Sequence, residues 1–452
     1  MGQKVQSRGF LPRPAAPPVG APGEGSADAP FVPRGNAAKP APQTPVRAVV
    51  LVAITAALAV ACGATTRTCG GSDAASSDGG GSPPSSFSLA SVRLVGRFDP
   101  AGAPGTEAAL SRRFAWSGSS FEVRFTGPSI AMRLRAAPLE PHTVVVDGKP
   151  VNMAETSTAY AVRVDDRPPS SVEVSSERER YELASGLDPA APHVVRVMRE
   201  AEAFAGVHEL YGVELGTGGH FLPPRAPSLR IEVVGDSITC GYGVLGDSER
   251  CPFTFATERA SAAYGARLAA ALAADVTTLC WSGRGVLRNY DGSTNGTMPQ
   301  LYEQAVPTAP PVPWSFAAAA RADAVVVNLG TNDFLGGAGR PLDLAAFEEA
   351  YVRFLRRVRE REPSAFILVT TSPMLKAEPS PSGPGTVQEL ARARFERVVA
   401  RRTEEGDRRI ELVPLDGDAT AKNQGCDGHP NADDNARIAA RLERVLRARL
   451  HR

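Results

Sequence analysis

Two patterns of apolar and polar positions divide the chain. Between about residues 89 and 227, short runs alternate apolar and polar side chains, as in SFEVRFTG, where Phe121, Val123 and Phe125 alternate with other residues. Turn residues separate these runs, and no amphipathic helical pattern interrupts them. Short alternating strands at this spacing are typical of two packed antiparallel sheets. The pattern therefore predicts an all-β, jelly-roll-like sandwich over residues 89–227.

The second pattern follows the proline-rich segment FLPPRAPSLR and covers residues 228–452. Five mostly apolar runs are candidate strands: RIEVVG, DVTTLC, DAVVVNLG, AFILVTTS and RIELVPL. Helical periodicities lie between them, among them SAAYGARLAAALAA, DLAAFEEAYVRFLRRVRERE and TVQELARARFERVVARRTEE, and NADDNARIAARLERVLRARL closes the chain. Apolar strands joined by helical crossovers predict a five-stranded parallel sheet with helices on both faces, an α/β/α three-layer domain.

The first 88 residues predict no folded domain. Residues 1–45 contain ten prolines and no apolar periodicity, which indicates disorder or a segment upstream of the true translation start near Val46. Residues 46–62 hold an apolar run too short to span a bilayer, and the run ends on AVAC, which resembles a bacterial lipoprotein signal with Cys62 lipidated. A short buried helix is the alternative. A Gly/Ser/Pro linker over residues 63–88 completes the segment, so we expect an exported protein, lipid-anchored at the cell envelope or secreted.

Charge and motifs narrow the classes of function. With 50 Lys plus Arg against 49 Asp plus Glu, the chain lacks the basic excess of nucleic-acid-binding proteins, and we expect membrane contact only through the N-terminal lipid. The second domain has no phosphate loop, dinucleotide fingerprint or His/Cys ligand cluster, so we expect neither cofactor nor metal.

The six cysteines suit an oxidising compartment. If Cys62 carries lipid and Cys69 in the linker stays unpaired, four cysteines remain in the second domain. The pairings that we expect are Cys240–Cys251 and Cys280–Cys426. Unpaired buried thiols are the alternative.

The run IEVVGDSITCGYG places a serine where the first parallel strand ends. Sites in α/β sheets form at the carboxyl edge of the strands, so the Ser237 hydroxyl lies where such sites are built. A serine needs a base within hydrogen-bond reach and donors for the oxyanion that forms. Of the two histidines that follow it, His429 in GCDGHPN lies between the last strand and the last helix, at the same edge, whereas His451 lies at the chain end. His429 is therefore the candidate base.

Oxyanion donors are expected from two further loops at this edge. The third strand ends in NLGTNDF, which presents the Asn332 amide, and the second is followed by CWSGRGVLRNY, whose glycines expose backbone N–H groups. In chain order, GDS, this glycine block, GTND and HP resemble the four sequence blocks of SGNH, or GDSL-type, hydrolases. That resemblance implies a flavodoxin-like three-layer fold.

A β-sandwich in front of such a domain, together with GDSITCGYG, WSGRGVLRNY and CDGHPN, resembles carbohydrate esterase family 2. Members of this family deacetylate plant polysaccharides such as xylan and glucomannan, so the resemblance implies an acetylated polysaccharide or oligosaccharide as substrate. It implies Ser237 as nucleophile, His429 as general base, and an oxyanion hole formed by Asn332, the Ser237 N–H and one glycine N–H. Block alignment favours Gly285 as that glycine, with Gly283 as the register alternative.

The third catalytic residue stays open at this point. SGNH hydrolases carry Asp three residues before the histidine, where this chain has Cys426, and the nearest acid is Asp427, two residues before it. Either Asp427 completes a triad or a backbone carbonyl orients the ring in a Ser-His dyad.

Two other functions compete with a carbohydrate esterase. One is a lipase-like esterase with an apolar acyl groove, and the other is a non-catalytic carbohydrate-binding lipoprotein of the envelope. The aromatic residues of the sandwich bear on the second reading, because they either line a glycan-binding face or fill the core. These are Trp116, Tyr181 and Tyr211.

Overall fold

The computed structural model describes residues 91–100, 111–146, 149–308, 310–317, 319–337, 339–417 and 421–451. The expected upstream segment, signal and linker, with Cys62 and Cys69, lie outside these residues. No helix in the described ranges is both long and apolar enough to cross a membrane.

The first folded region is the expected sandwich of two antiparallel sheets. One sheet has the order β1-β4-β11-β8-β9, with β13 also paired to β4, and the other has the order β10-β5-β12-β3-β2, while β6 and β7 form a separate hairpin. The strands are β1 (Val92–Val95), β2 (Asp99–Pro100), β3 (Arg112–Phe114), β4 (Ser120–Thr126), β5 (Ile130–Ala136), β6 (His142–Val146), β7 (Lys149–Met153), β8 (Ser157–Val164), β9 (Ser170–Ser175), β10 (Arg180–Ala184), β11 (His193–Arg199), β12 (His208–Leu215) and β13 (His220–Leu222).

The alternation seen in the sequence sets the two faces of this sandwich. Phe121, Val123 and Phe125 of β4 point into the core between the sheets, because side chains two apart on a strand share a face. Tyr181 belongs to the same core, and Trp116 is buried against the second domain, where its indole N–H donates to the Gln304 carbonyl. Burial of these two rings supports the core reading rather than a glycan-binding face.

The second region contains the expected parallel sheet, in the order β15-β14-β18-β19-β20. Its strands are β14 (Arg230–Gly235), β15 (Asp275–Cys280), β18 (Ala324–Asn328), β19 (Phe366–Thr370) and β20 (Ile410–Val413), and β16 (Gln304–Val306) and β17 (Val312–Pro313) form a small hairpin. The helices are α1 (Ser237–Cys240), α2 (Tyr264–Ala271), α3 (Met298–Leu301), α4 (Thr331–Leu335), α5 (Leu344–Arg361), α6 (Val387–Glu404) and α7 (Ala432–Arg449). All five predicted strands are confirmed.

Helices cover both faces of this sheet, as the apolar strands require. Val325 and Val327 of β18 face a core shared with α5 and α6, whereas Val326, between them, faces a core shared with α2 and α7. This three-layer arrangement brings the loops after β14, β15, β18 and β20 to one edge of the sheet, which is the edge that carries the candidate site.

The sandwich packs directly on the second domain through buried polar contacts. The Arg97 guanidinium, only 1% exposed, donates to Glu232 of β14 and lies over the Tyr302 ring. A second set of contacts comes from the segment 199–205 that follows β11. This segment reaches the loops of the parallel sheet, and it becomes important at the site.

Candidate active site

The structure brings Ser237 and His429 into direct contact. Ser237 is the first residue of α1, immediately after β14, and its hydroxyl lies 2.8 Å from His429 Nε2. His429 lies in the loop 425–431, named here the base loop, directly before α7. Asn431 caps α7 with a capping box, so the start of the helix fixes the end of the base loop. The two residues are separated by 192 positions in sequence and meet at the sheet edge that the strand order creates.

The hydrogen bonds of His429 decide which ring nitrogen is the base. Its Nδ1 lies 3.2 Å from the Cys426 carbonyl oxygen, which can only accept, so Nδ1 carries the proton. Nε2 is then unprotonated and accepts from the Ser237 hydroxyl, the state that a general base needs. Burial lowers the pKa of His429 to about 4, although the Cys426 carbonyl and the Asp427 charge act in the opposite direction. The imidazole is therefore neutral at physiological pH.

Asp427 does not contact the imidazole as the triad expectation required. Its carboxylate is exposed and accepts a hydrogen bond of 2.7 Å from the Tyr242 hydroxyl. Asp427 has a φ of 52°, a left-handed conformation that turns the chain between Cys426 and His429. This turn aims the carbonyl of Cys426, rather than the Asp427 side chain, at Nδ1. The geometry corresponds to the Ser-His dyad alternative.

Tyr242 is a site residue that the sequence reasoning missed. The centroid of its ring lies 4.2 Å from that of the His429 ring, and the Tyr242 ring also stacks on Phe253. It therefore covers one side of the imidazole while its hydroxyl holds Asp427. Its place in the quoted run GDSITCGYG, five residues after Ser237, was the available signal.

Asn332 lies at the same edge, on the short helix α4 that follows β18. Its Nδ2 donates to the Arg284 carbonyl at 2.9 Å and to Asp236 Oδ2 at 3.3 Å. Asp236 directly precedes the nucleophile, and burial raises the pKa of its carboxyl to about 7. Both N–H groups of the Asn332 amide thus have acceptors, one in the residue before Ser237 and one in the glycine block, and this places Asn332 between the two loops.

The glycine block forms the loop 281–289, named here the oxyanion loop, and its hydrogen bonds distinguish the two candidate glycines. The Gly285 N–H donates to the Asn289 side-chain oxygen at 3.2 Å, and a Cβ at Gly285 would lie 2.0 Å from the Arg288 carbonyl oxygen. Gly285 is therefore a packing residue whose N–H is already used. The Gly283 N–H has no acceptor among the residues that the structure describes, and a Cβ at this position would meet only Tyr290 Cβ, at 3.8 Å. The geometry favours Gly283, the register alternative.

Asp333 of the GTND block shapes the rest of the oxyanion loop. Its carboxylate accepts the backbone N–H groups of Val286, Leu287 and Arg288 at 2.7 to 2.9 Å. Burial raises the pKa of this carboxyl to about 6, and the three N–H donors act against that rise. The GTND block therefore supplies both the candidate oxyanion donor and the support of the loop beside it.

The four cysteines form two disulfides, but the expected pairing was wrong. Cys240 pairs with Cys280, and Cys251 pairs with Cys426. Cys240 ends α1, which follows β14, and Cys280 ends β15. Because β14 and β15 are neighbouring strands, the two cysteines lie close together. The chain between Cys240 and Cys251 turns away toward the base loop, where Asp427 N–H donates to the Cys251 carbonyl. Each bond therefore joins two loops of the site.

The segment that follows β11 in the sandwich supplies a further side chain that sequence reasoning missed. The Glu202 carboxylate accepts from the N–H of Ser282 at 2.6 Å and from its hydroxyl. Among the described residues, Glu202, Glu258 and the Cys240 sulfur form the one group close enough to hold a metal ion, and that sulfur is in a disulfide.

Tyr290 directly follows the oxyanion loop and is 59% exposed, so it presents an aromatic surface beside Gly283.

Comparison with protein-family models divides the chain in the same way as the fold. Residues 233–437 match the GDSL-like Lipase/Acylhydrolase family, and residues 94–224 match Carbohydrate esterase 2 N-terminal. The first match contains Ser237, Gly283, Asn332 and His429. The second ends before the connection to β14.

Relatives share both regions. The chain is 30% identical over 336 residues to Cellulase/esterase CelE of Acetivibrio thermocellus, covering 74% of this chain and 37% of that protein. It is 31% identical over 222 residues to an Acetylxylan esterase / glucomannan deacetylase of Cellvibrio japonicus, covering 48% of this chain and 60% of that protein. The chain therefore spans less than two thirds of either relative.

A solved structure is similar over nearly its whole length. A family two carbohydrate esterase from Clostridium thermocellum, in complex with cellohexaose, superposes with a TM-score of 0.68 at 28% identity. The match covers 80% of this chain and 99% of that one. A sandwich and a parallel-sheet domain in this order, matched by both family models, define the architecture. The chain therefore carries a region similar to the carbohydrate esterase 2 N-terminal domain followed by a GDSL-like hydrolase domain, the arrangement found in a family two carbohydrate esterase.

Proposed function

We propose that this protein is a serine esterase that removes acetyl groups from polysaccharides by a Ser-His mechanism. The observation that carries the proposal is the 2.8 Å contact between the Ser237 hydroxyl and His429 Nε2, with the proton of the ring held on Nδ1 by the Cys426 carbonyl. A serine aligned with a neutral base is the arrangement that activates a hydroxyl for acyl transfer.

The reaction proceeds in two steps. Ser237 Oγ attacks the acetyl carbonyl carbon while its proton passes to His429 Nε2, and the carbonyl oxygen becomes an oxyanion. The N–H groups of Ser237 and Gly283 and the Asn332 amide stabilise this oxyanion. The intermediate collapses as the sugar oxygen leaves with the proton from His429, which gives an acetyl-enzyme. Water then attacks the acetyl-enzyme with His429 again as base, and acetate leaves.

The substrate class rests on the relatives and on the surface beside the serine. The relatives are named Cellulase/esterase CelE and Acetylxylan esterase / glucomannan deacetylase, and one solved neighbour is in complex with cellohexaose. In this chain the exposed Tyr290 ring lies next to Gly283, and Arg284 lies over the Trp281 ring at 5.0 Å. An exposed aromatic ring beside the candidate oxyanion glycine suits the apolar face of a sugar.

The test is release of acetate by the purified protein from acetylated xylan, acetylated glucomannan and acetylated peptidoglycan, compared side by side. p-Nitrophenyl acetate, butyrate and octanoate measure acyl length in the same assay. We expect acetate from a polysaccharide and a steep fall in rate with acyl length. Preference for octanoate would support a lipase-like esterase, and no turnover with any ester would support a carbohydrate-binding protein.

We propose that the protein acts outside the cytoplasm, anchored through lipid on Cys62 or released. Two disulfides in one domain support an oxidising compartment, and the AVAC sequence supports lipidation. Metabolic labelling with palmitate, followed by membrane fractionation, tests the anchor. Label in the wild-type protein and none in Cys62→Ala is the expected result, and translated protein that retains residues 1–45 would contradict the proposed start near Val46.

A further inference from the structure

The sandwich domain reaches into the active site through one short segment. After β11, Glu200 and Glu202 extend from the sandwich, and each carboxylate binds one serine of the hydrolase domain. Glu200 accepts from the Ser261 N–H at 2.8 Å and the Ser261 hydroxyl at 2.6 Å. Glu202 makes the same two hydrogen bonds with Ser282. The two contacts use the same pair of hydrogen bonds, but Ser261 and Ser282 lie in different parts of the hydrolase domain.

The Glu202 contact ends at the oxyanion loop. Ser282 directly precedes Gly283, and the peptide unit that joins them is planar, so the orientation of Ser282 sets the direction of the Gly283 N–H. On the other side, the Gly283 carbonyl accepts from the Tyr290 N–H at 2.8 Å. Gly283 has a φ of +77°, and a Cβ at this position would meet only Tyr290 Cβ, at 3.8 Å, so the flanking hydrogen bonds rather than tight packing on that side hold it.

Its environment makes Glu202 a rigid support. The side chain is fully buried, and Arg199 holds the backbone by donating to the Glu202 carbonyl at 3.1 Å. Glu258 accepts from the Glu202 N–H at 3.3 Å, and its Oε1 has no partner among the described residues. Burial raises the pKa of both carboxyls, and the two hydrogen bonds that Ser282 donates to Glu202 act against that rise. Ser282 therefore favours the charged form of Glu202.

We propose that Glu202 is a positioning residue for the proposed esterase reaction: from the sandwich domain, it holds Ser282 so that the Gly283 N–H points at the developing oxyanion. The inference rests on the proposed function, and it gives the sandwich a role in turnover besides any contact with the polysaccharide chain. Glu200 performs the same bonding at Ser261, in the 3₁₀ helix Ala260–Ala262 that leads into α2. That contact joins the domains without touching the oxyanion loop.

The experiment compares Glu202→Gln with Glu200→Gln in the full chain. Glutamine keeps the size of the side chain but removes the negative charge and one of the two acceptor oxygens, so each variant weakens one contact between the domains. We measure kcat and KM for p-nitrophenyl acetate, the inhibition constant of phenylboronic acid, and thermal unfolding. The boronate forms a tetrahedral adduct with serine and so reports the oxyanion hole.

For Glu202→Gln we expect kcat to fall roughly 10- to 100-fold, less than the 10²–10³-fold loss for deletion of an oxyanion donor. KM should change less than about twofold, and boronate binding should weaken in parallel with kcat. For Glu200→Gln we expect kcat within about threefold of wild type even where unfolding occurs at lower temperature. Equal loss of kcat in both variants, or a Glu202→Gln loss confined to KM, would overturn the proposal.

Ser282→Ala keeps the test decisive if Glu202→Gln does not fold. This variant removes one of the two bonds and no buried charge, so we expect a loss of kcat of roughly 3- to 10-fold, with weaker boronate binding. Where both variants fold, the double variant should be no slower than Glu202→Gln, because both act through one contact. Wild type and Ser237→Ala run in parallel: absence of wild-type turnover would refute the proposed function, whereas the Glu202 variants test only the positioning role.

Discussion

The base side and the oxyanion side of this active site are held in place by different parts of the molecule. The base loop is fixed within the hydrolase domain, by the Cys251–Cys426 disulfide, by the Tyr242–Asp427 hydrogen bond and by the cap of α7. The oxyanion loop is fixed in part by the other domain, through Glu202. In the proposed mechanism, proton transfer therefore depends on one domain, and oxyanion stabilisation depends on both.

This difference teaches what the fused sandwich contributes. Arg97 and Glu202 are buried in the contact between the two regions. Buried charged groups must be paired and hydrogen-bonded to be tolerated, so the relative position of the two regions is tightly specified. The sandwich and the parallel-sheet domain therefore pack as one structural unit.

The largest loss of kcat is expected when Ser237 or His429 itself is replaced. Ser237→Ala abolishes the covalent route and should lower kcat roughly 10³-fold or more, with folding unchanged by circular dichroism. His429→Ala should be similarly severe, and the double variant hardly worse than either single one, because the two act as a unit. If the two losses multiply in the double variant, Ser237 and His429 act independently, and this result would contradict a Ser-His dyad.

Deleting each disulfide tests the two sides separately. Cys251→Ala/Cys426→Ala frees the segment whose carbonyl orients His429, and we expect kcat to fall roughly 10- to 100-fold because small misplacements of a base are costly. Cys240→Ala/Cys280→Ala is the matched control, since Glu202 still holds the oxyanion loop, and its loss should be under about tenfold. Both deletions should lower stability by about 2–4 kcal/mol. A larger loss of kcat in Cys240→Ala/Cys280→Ala than in Cys251→Ala/Cys426→Ala would contradict the conclusion that the Cys251–Cys426 disulfide holds the base loop.

A smaller effect is expected for Asp427→Asn, which distinguishes the dyad from a triad. Loss of a triad aspartate lowers kcat about 10⁴-fold. Here the carboxylate binds Tyr242 instead of the imidazole, so we expect less than about a tenfold loss, equal to about 1.4 kcal/mol. Tyr242→Phe breaks the same contact from its other end and should match it. A loss near 10⁴-fold in Asp427→Asn alone would restore the triad.

Sequence predicted the residues that follow strands better than those that meet through loops. Ser237, Asn332 and His429 lie where expected because parallel strands end at one edge of a sheet. The cysteine pairing failed because it depends on the path of the loop between residues 240 and 251, which no local pattern records. The choice of Gly283 over Gly285 depends on whether Asn289 uses an N–H group, which is likewise a property of the folded loop.

Glu202 was out of reach for a different reason. It lies 80 residues before Ser282, in the other domain, within a segment that reads as an ordinary turn after a strand. Motifs of a catalytic domain mark only residues of that domain. A side chain that enters the site from a fused module becomes visible only when the two domains are seen packed together.

The smallest expected change is the response of the rate to mild acid, and it probes the base side alone. His429 is surrounded by Ser237, the Tyr242 ring, the Cys426 carbonyl and the exposed Asp427 carboxylate, and burial lowers its pKa to about 4. A base acts only in its neutral form, so kcat/KM falls when the pH drops through this pKa and is unaffected well above it. Between pH 7.5 and 5.5, protonation of His429 should therefore change kcat/KM less than about twofold, whereas a histidine at the ordinary pKa of about 6.5 would lose roughly tenfold.

The Asp236 carboxyl, with a pKa of about 7, titrates close to the nucleophile, so the rate alone does not identify the group. The His429 ring is therefore followed by NMR over pH 3.5 to 8, with His429→Gln to assign its signal. A ring that protonates near pH 4 means that desolvation outweighs the Asp427 charge, as the dyad geometry requires. A ring that protonates near pH 7 would mean that a carboxylate stabilises the imidazolium, and the base side would then need Asp427 after all.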